Sequence, residues 1–248
     1  MFAGKTAIVT GAGSGIGREI ARAMARRNTH TILLDRDFAS IEQVRGEIGL
    51  LGKGESLALE ANVARTRDVQ QAVGEVISKF GKVDILINCA AIVGPSALLT
   101  EVSEEDWDEV MDVTLKSVFI CCKAVIAQMI ARRYGKIVNL ASFAGRAGNP
   151  HLVPYSAAKA GVITLSRAIA LGVATQGINV NCVIPATTET PLLLRLPEAQ
   201  REYLKAQIPM GRFGTPEETA AVVCFLASDE SCLINGQCIN ATGGRGYD

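Results

Sequence analysis

The run Lys5–Thr10 (KTAIVT), followed at once by Gly11-Ala12-Gly13-Ser14-Gly15-Ile16-Gly17, restricts the fold more than any other part of the chain. A short β-branched run without polar alternation reads as a strand buried on both faces, as in a parallel sheet. The pattern that follows the glycines, to about Arg27, reads as a helix. Parallel strands require such crossovers, because a tight hairpin can only return the chain antiparallel. The same unit recurs down the sequence. Strands are predicted at Thr31–Asp35, Ser56–Glu60, Asp84–Asn88, Lys136–Leu140, Asn179–Ile184 and Gln237–Asn240. Helices are predicted from about Phe38 to Gly49 and from Asp68 to Phe80. A third runs from Ser103 to about Arg133 with a break, a fourth from Pro154 to about Thr175, and a last one from Thr215 to about Ala227. Seven strands alternating with helices predict one α/β domain over residues 1–248, doubly wound, with a mainly parallel seven-stranded sheet. No repeat or linker divides it. Residues 187–214, with Pro191, Pro197 and Pro209, read as irregular.

The glycine turn suits a Rossmann-type dinucleotide site. Its glycines let the backbone approach a pyrophosphate, and the next helix aims its N-terminus there. The strict G-x-G-x-x-G spacing is not met, since Ile16 stands at its last position, and a tight strand–helix junction needs glycine for sterics alone. Gly11, Ser14, Gly15, Ile16 and Gly17 are the candidate phosphate-side residues. Asp35, at the end of the second strand, can accept from ribose hydroxyls and would repel a 2′-phosphate, which favours NAD over NADP. Arg36 beside it can act the other way or be a solvated charge.

A second constellation lies in Ser142–Lys159. A strand ends at Ala141–Ser142, a Gly- and Asn-rich loop follows, and Pro154 opens a helix carrying Tyr155 and Lys159 one turn apart. A free phenol has a pKa near ~10, and an ammonium beside it lowers that value toward a catalytic range. With the Ser142 hydroxyl, the pair suits proton exchange at an alcohol or ketone oxygen. Alone, the Tyr–Lys spacing equally describes a solvated helix face.

Composition narrows the alternatives. Twenty-five basic residues balance 25 acidic ones, which offers no electrostatic footprint for nucleic acid or an anionic membrane. The expectation is no membrane span, no signal or transit segment ahead of Lys5, and a reduced, cytoplasmic setting. The seven cysteines form no C-x-x-C pair and mostly sit in apolar runs. With only His30 and His151 present, no metal site is expected.

In order and at matching spacing, TGAGSGIG at Thr10–Gly17, Asn88-Cys89-Ala90-Ala91, Ser142, Tyr155-x3-Lys159, Pro185 through Thr190, Arg212-Phe213-Gly214 and Gly236-Gln237…Gly243-Gly244 resemble the short-chain dehydrogenase/reductase family. Among its members, those resembling 3-oxoacyl-carrier-protein reductases stand nearest. The resemblance covers nearly the whole chain. It implies that Tyr155 is the general acid/base, that Ser142 orients the substrate oxygen, and that Lys159 lowers the tyrosine pKa and holds the nicotinamide ribose. It further implies cofactor contacts at Asn62, Val63, Asn88, Ala90, Pro185, Thr188 and Thr190. The implied substrate is a small alcohol or ketone, and the implied assembly is a homotetramer packed through the long helices and the C-terminal strand. An NADPH-dependent 3-oxoacyl reductase, or a cofactor-binding protein with weak catalysis, is the alternative. Four positions depart from the family pattern. Asn62 replaces Asp, Cys89 and Ala91 replace Asn and Gly, and Ala186 adds a methyl near the cofactor. Thr114 stands where the family has the Asn of its catalytic group, so a relay led by the Thr114 backbone carbonyl is expected.

Residues 187–214 match the family's substrate lid. Leu192, Leu193, Leu194 and Leu196 either line an apolar pocket or pack as the core of a small helix pair. Arg195 and Arg201 either grip a substrate carboxylate or are solvated.

Overall fold

The computed structural model describes residues 2–246, apart from the side chain of Leu192. Seven strands, β1 (Thr6–Thr10), β2 (His30–Asp35), β3 (Ser56–Glu60), β4 (Ile85–Asn88), β5 (Gly135–Leu140), β6 (Ile178–Pro185) and β7 (Cys238–Ala241), form one sheet in the order β3-β2-β1-β4-β5-β6-β7. Every pairing is parallel. The expected doubly wound sheet is therefore present. The order reverses between β1 and β4, which places a crevice at their carboxyl ends.

Helices α1 (Gly15–Ala25), α2 (Phe38–Ile48) and α3 (Thr66–Phe80) connect the first strands. The long predicted helix is two, α4 (Glu104–Met111) and α5 (Ser117–Arg132). A wide turn, Asp112–Lys116, joins them, and in it the Ser117 N–H reaches back to the Asp112 carbonyl. The chain then forms α6 (Ala144–Ala147), α7 (Val153–Val173), α8 (Pro191–Leu194), α9 (Glu198–Ala206) and α10 (Pro216–Leu226). Segments as short as α6 and α8 span about one turn, too little for a helical period to show in sequence.

One sheet face packs Ile20, Met24, Ile41, Val44 and Val223 from α1, α2 and α10. The other packs Val69, Val76, Cys121, Val125 and Val162 from α3, α5 and α7. Against expectation, the runs Glu104–Arg132 and Val153–Gln176 are long and apolar enough to cross a membrane by length and composition. Cys121, Val125 and Val162 of these runs pack on the sheet, while Phe119, Ile130 and Leu171 remain exposed.

Below the sheet, at the amino ends of β1 and β4, Asp84 is fully buried. Its Oδ2 accepts the Thr6 N–H at 2.9 Å and lies 3.1 Å from Lys82 Nζ. Its Oδ1 accepts from Arg132 at 2.7 Å. Burial opposes ionisation of Asp84, but the bonds from Arg132, Thr6 and Lys82 outweigh it and hold the pKa below the usual carboxylate value. A depressed pKa contributes stability above the unfolded value, which is lost as pH falls through the folded one. Urea midpoints should therefore drop on acidification below about pH 4, and Asp84→Asn should flatten that limb. An unchanged acid limb in the variant would assign it to other carboxylates.

Candidate active site

The crevice at β1 and β4 holds a cleft of ≈ 540 Å³. Gly11, Ser14, Gly15, Ile16 and Gly17 form one wall, Asp35, Arg36, Asn62 and Val63 its rim, and Ala90, Tyr155 and Thr190 the far side. Gly11 has φ +66°, and a Cβ there would stand 2.8 Å from the Ala90 Cα. A Cβ on Gly17 would stand 2.1 Å from the Gly11 carbonyl oxygen. Both positions thus require glycine. Ser14 caps α1 without a side-chain bond and the first turn carries no acid, so the helix end presents open amides to an anion. This cradle fits a dinucleotide. Asp35 closes it by accepting the Gly13 N–H at 3.2 Å and the Asp37 N–H at 3.2 Å.

The sequence reading missed one support of this cleft. The Thr10 hydroxyl accepts from the Cys89 and Ala90 N–H groups, each at 3.1 Å. It ties the end of β1 to the loop after β4. A threonine directly before the glycine run was the available signal.

Other expected cofactor contacts stand behind the cleft. Asn88 is buried and donates through Nδ2 to Asn139 Oδ1 at 2.8 Å. Asn139 in turn donates to Ser166 Oγ at 2.7 Å. Asn88 therefore braces β4, β5 and α7 from the sheet interior and does not line the cavity. Pro185 belongs to the β6–β7 ladder, and the Thr188 hydroxyl donates to the Ala186 carbonyl at 2.8 Å. Ala186 borders a separate cavity of ≈ 210 Å³ with Met210, Phe213 and Thr219, so its methyl is not a wall of the cofactor cleft. Asn62, by contrast, stays on the cleft rim, its Oδ1 accepting the Ala64 N–H at 3.0 Å in a local turn.

Ser142, Tyr155 and Lys159 converge as expected. Ser142 sits in the loop after β5, where its Oγ accepts the Ala144 N–H at 3.2 Å and faces the Tyr155 phenol, whose pKa it lowers. Lys159 is buried, its Nζ 5.7 Å from the Tyr155 ring centroid and donating to the Leu140 carbonyl at 2.6 Å. The expected lowering of the tyrosine by Lys159 is not the dominant effect. Burial raises the Tyr155 pKa against the opposing bond from Ser142, and burial lowers Lys159 to about 8. Desolvation disfavours the charged form of each group, and the ammonium is turned to a carbonyl.

Thr114 is fully buried in the wide turn. Its hydroxyl donates to the Ile92 carbonyl at 2.9 Å and accepts the Ile92 N–H at 3.1 Å. One hydroxyl thus makes the donor–acceptor pair that an asparagine amide can also make. It fixes the loop carrying Ile92 and Val93, which line the cleft.

In residues 187–214, Leu193 is buried, Leu194 exposed and Leu196 half-buried. The Leu192 side chain lies outside the described residues. Of Arg195 and Arg201, Arg195 lines the cleft. The ends of the segment meet: Thr188 pairs with Gly214, and the Gly214 N–H reaches the Thr187 carbonyl at 2.9 Å.

Residues 11–245 match the family model described as enoyl-(acyl carrier protein) reductase. The chain is 42% identical to 3-oxoacyl-[acyl-carrier-protein] reductase of Thermotoga maritima over 97% of both chains. It is 36% identical to the 2-dehydro-3-deoxy-L-rhamnonate dehydrogenase (NAD(+)) of a Sphingomonas species, covering 98% of this chain and 96% of that one. The crystal structure of levodione reductase superposes with a TM-score of 0.95 at 29% identity, covering 98% of each chain. With the glycine cradle and the Ser142–Tyr155–Lys159 group, these likenesses show that the chain belongs to the short-chain dehydrogenase/reductase family, NAD(P)-dependent oxidoreductases acting on CH–OH groups.

Proposed function

We propose that the protein is an NAD-preferring dehydrogenase/reductase of a secondary alcohol or its ketone, with a largely apolar substrate. The observation that carries this reading is the Ser142–Tyr155 hydroxyl pair in a cleft whose inner end is lined by Ile92, Val93 and Val113. A nicotinamide, when bound, supplies or accepts the hydride. The remaining chemistry belongs to the chain. In reduction, the Tyr155 phenol, kept protonated by burial, gives its proton to the carbonyl oxygen as charge develops there. Ser142 donates to the same oxygen and holds it within reach. Lys159 stays largely protonated at neutral pH and stabilises the phenolate left behind. In oxidation the same groups act in reverse. Thr114 acts on this machinery through its hold on Ile92, and residues 187–214 serve as the substrate lid.

A screen of secondary alcohols with NAD, read by NADH fluorescence, tests the reading. Turnover of none, with NADH still bound, would favour the weakly catalytic alternative. That alternative draws no support from Thr114 and Ala186, whose environments leave the catalytic group assembled. The 3-oxoacyl reductase reading with NADPH is favoured by Arg36 at the rim and by the Thermotoga relative.

Cofactor choice separates the two. Asp35 at the rim should make NAD the better substrate, and Asp35→Ala should narrow that preference. That variant also loses the acceptor for Gly13 N–H, so Asp35→Asn, which keeps an oxygen there, isolates the charge. Ratios of kcat/KM for NAD and NADP should converge by about tenfold in both, or ~1.4 kcal/mol. A wild-type preference for NADP would give Arg36 the deciding role.

A homotetramer is supported by Phe119 and Ile130 on α5, Leu171 on α7 and Leu233 before β7, all exposed apolar side chains. Light scattering of the purified protein measures it. A cytoplasmic setting accords with seven free cysteines.

A further inference from the structure

We infer that Arg245 is a positioning residue that fastens the segment 187–214 to the loop carrying Ser142. The inference rests on the reading of that segment as the substrate lid. After β7 the chain turns at Thr242–Arg245, where the Arg245 N–H reaches the Thr242 carbonyl at 3.4 Å. This turn is wedged between the end of α9 and the start of α6. On the α9 side, the Met210 N–H donates to the Gly243 carbonyl at 3.1 Å. Gly243 has φ +66°, and a Cβ there would stand 2.8 Å from Cγ2 of the buried Ile208. On the other side, a Cβ on Gly246, at φ +74°, would stand 2.5 Å from Phe143 Cε2.

Arg245 spans the two sides with one side chain. Its Nη2 donates to Gln207 Oε1, directly after α9. Its guanidinium carbon lies 4.3 Å from the centroid of the Phe143 ring. A planar guanidinium can do both at once, donating in its plane and stacking through its face. Phe143 follows Ser142 and stands on a firm base. Its carbonyl accepts the Ala147 N–H at 2.9 Å. Helix α6 is pressed onto α7, where a Cβ on Gly145 would stand 2.6 Å from the Lys159 carbonyl carbon. No residue of α9 is buried. Arg245 thus ties a lightly packed element to the one that places the Ser142 hydroxyl.

The consequence falls on substrate binding. Without the tie, α9 parts from Phe143 more readily and the closed cleft is less populated, so the apparent substrate affinity falls by that fraction. Proton transfer within the closed complex uses other groups, so kcat is spared.

The test compares the wild type with Arg245→Met and Gln207→Ala. Methionine keeps the apolar stem of the arginine, and Gln207→Ala removes the same bond from the lid side while leaving the stack on Phe143. Hydrogen exchange of the intact protein, read by peptide mass, needs no turnover. It should rise over 198–210 and 143–147 in Arg245→Met, over 198–210 alone in Gln207→Ala, and in α3 in neither. In Arg245→Met, KM for an alcohol that the wild type oxidises should rise about tenfold with kcat nearly unchanged, the size of one hydrogen bond to a charged group. Arg245→Lys, which keeps a cation and a donor, should recover most of that loss. The double variant should be no worse than Arg245→Met, because the shared bond is already gone. Unchanged exchange over 198–210 in both single variants, or a rise that extends equally to α3, would overturn the inference. Raised exchange there with an unchanged KM would uphold the tie and refute the lid reading instead.

Discussion

Tyr155→Phe is expected to lower kcat by about 10²–10⁴-fold, or ~3–5 kcal/mol, while NADH binding changes little. The ring remains to line the cleft, so binding keeps its wall. Only the phenolic oxygen is lost, together with its interaction with Ser142. Ser142 Oγ still accepts from Ala144 N–H, so the loop after β5 keeps its shape. The loss therefore falls on the chemical step. Stopped-flow transients and NADH fluorescence titration separate the two quantities. A variant retaining more than about a tenth of wild-type kcat would remove Tyr155 from the proton transfer. In the wild type the burial-raised phenol keeps its proton across neutral pH, so the alkaline decline of reduction should begin near pH 8, where Lys159 loses its charge.

The second large effect concerns Thr114. Thr114→Val keeps the shape but leaves both the N–H and the carbonyl of Ile92 without their present partner. Each unsatisfied buried group costs roughly 1 kcal/mol or more, so a loss near ~2 kcal/mol is expected. For a chain of this size that lowers Tm by about 4–8 °C. The Ile92–Val93 segment lines the cleft, so KM for substrate should rise as the wall loosens. Thr114→Asn should recover much of the stability, because its amide supplies one donor and one acceptor. The kcat cost of Thr114→Val should stay near tenfold or less, ~1.4 kcal/mol. A thousandfold fall in kcat with an unchanged Tm would place the hydroxyl in the proton path instead.

Much of this was legible in sequence because the signals were local. β-branched runs bounded by glycine set the strands to within a residue or two, and Pro154 marked the start of α7. The Tyr155–Lys159 spacing set one helix face. What the sequence could not display were facing and partners across long separations. Asn88 ends a strand buried on both faces, so alternation gives no clue that its amide turns inward to Asn139. Thr114 meets Ile92 across 22 residues, a pairing that depends on how the wide turn after α4 docks. The raised Tyr155 pKa has a related cause: burial is a property of the assembled fold, and here it outweighs the lowering by Ser142.

The segment 187–214 leaves the sheet at Thr187–Thr188 and returns at Gly214, where its two ends are pinned together. Such a closed excursion is mechanically insulated: its length and sequence can change while β6, α10 and the proton-handling group stay in register. Closure entropy grows only slowly with the length of a flexible loop. The segment can accordingly be exchanged with the corresponding segment of a relative as a cassette, with Thr188 and Gly214 as the joints. New substrates can then be reached by rewriting one stretch of chain, provided the cassette keeps Thr190, Pro191 and Arg195, which line the cofactor cleft.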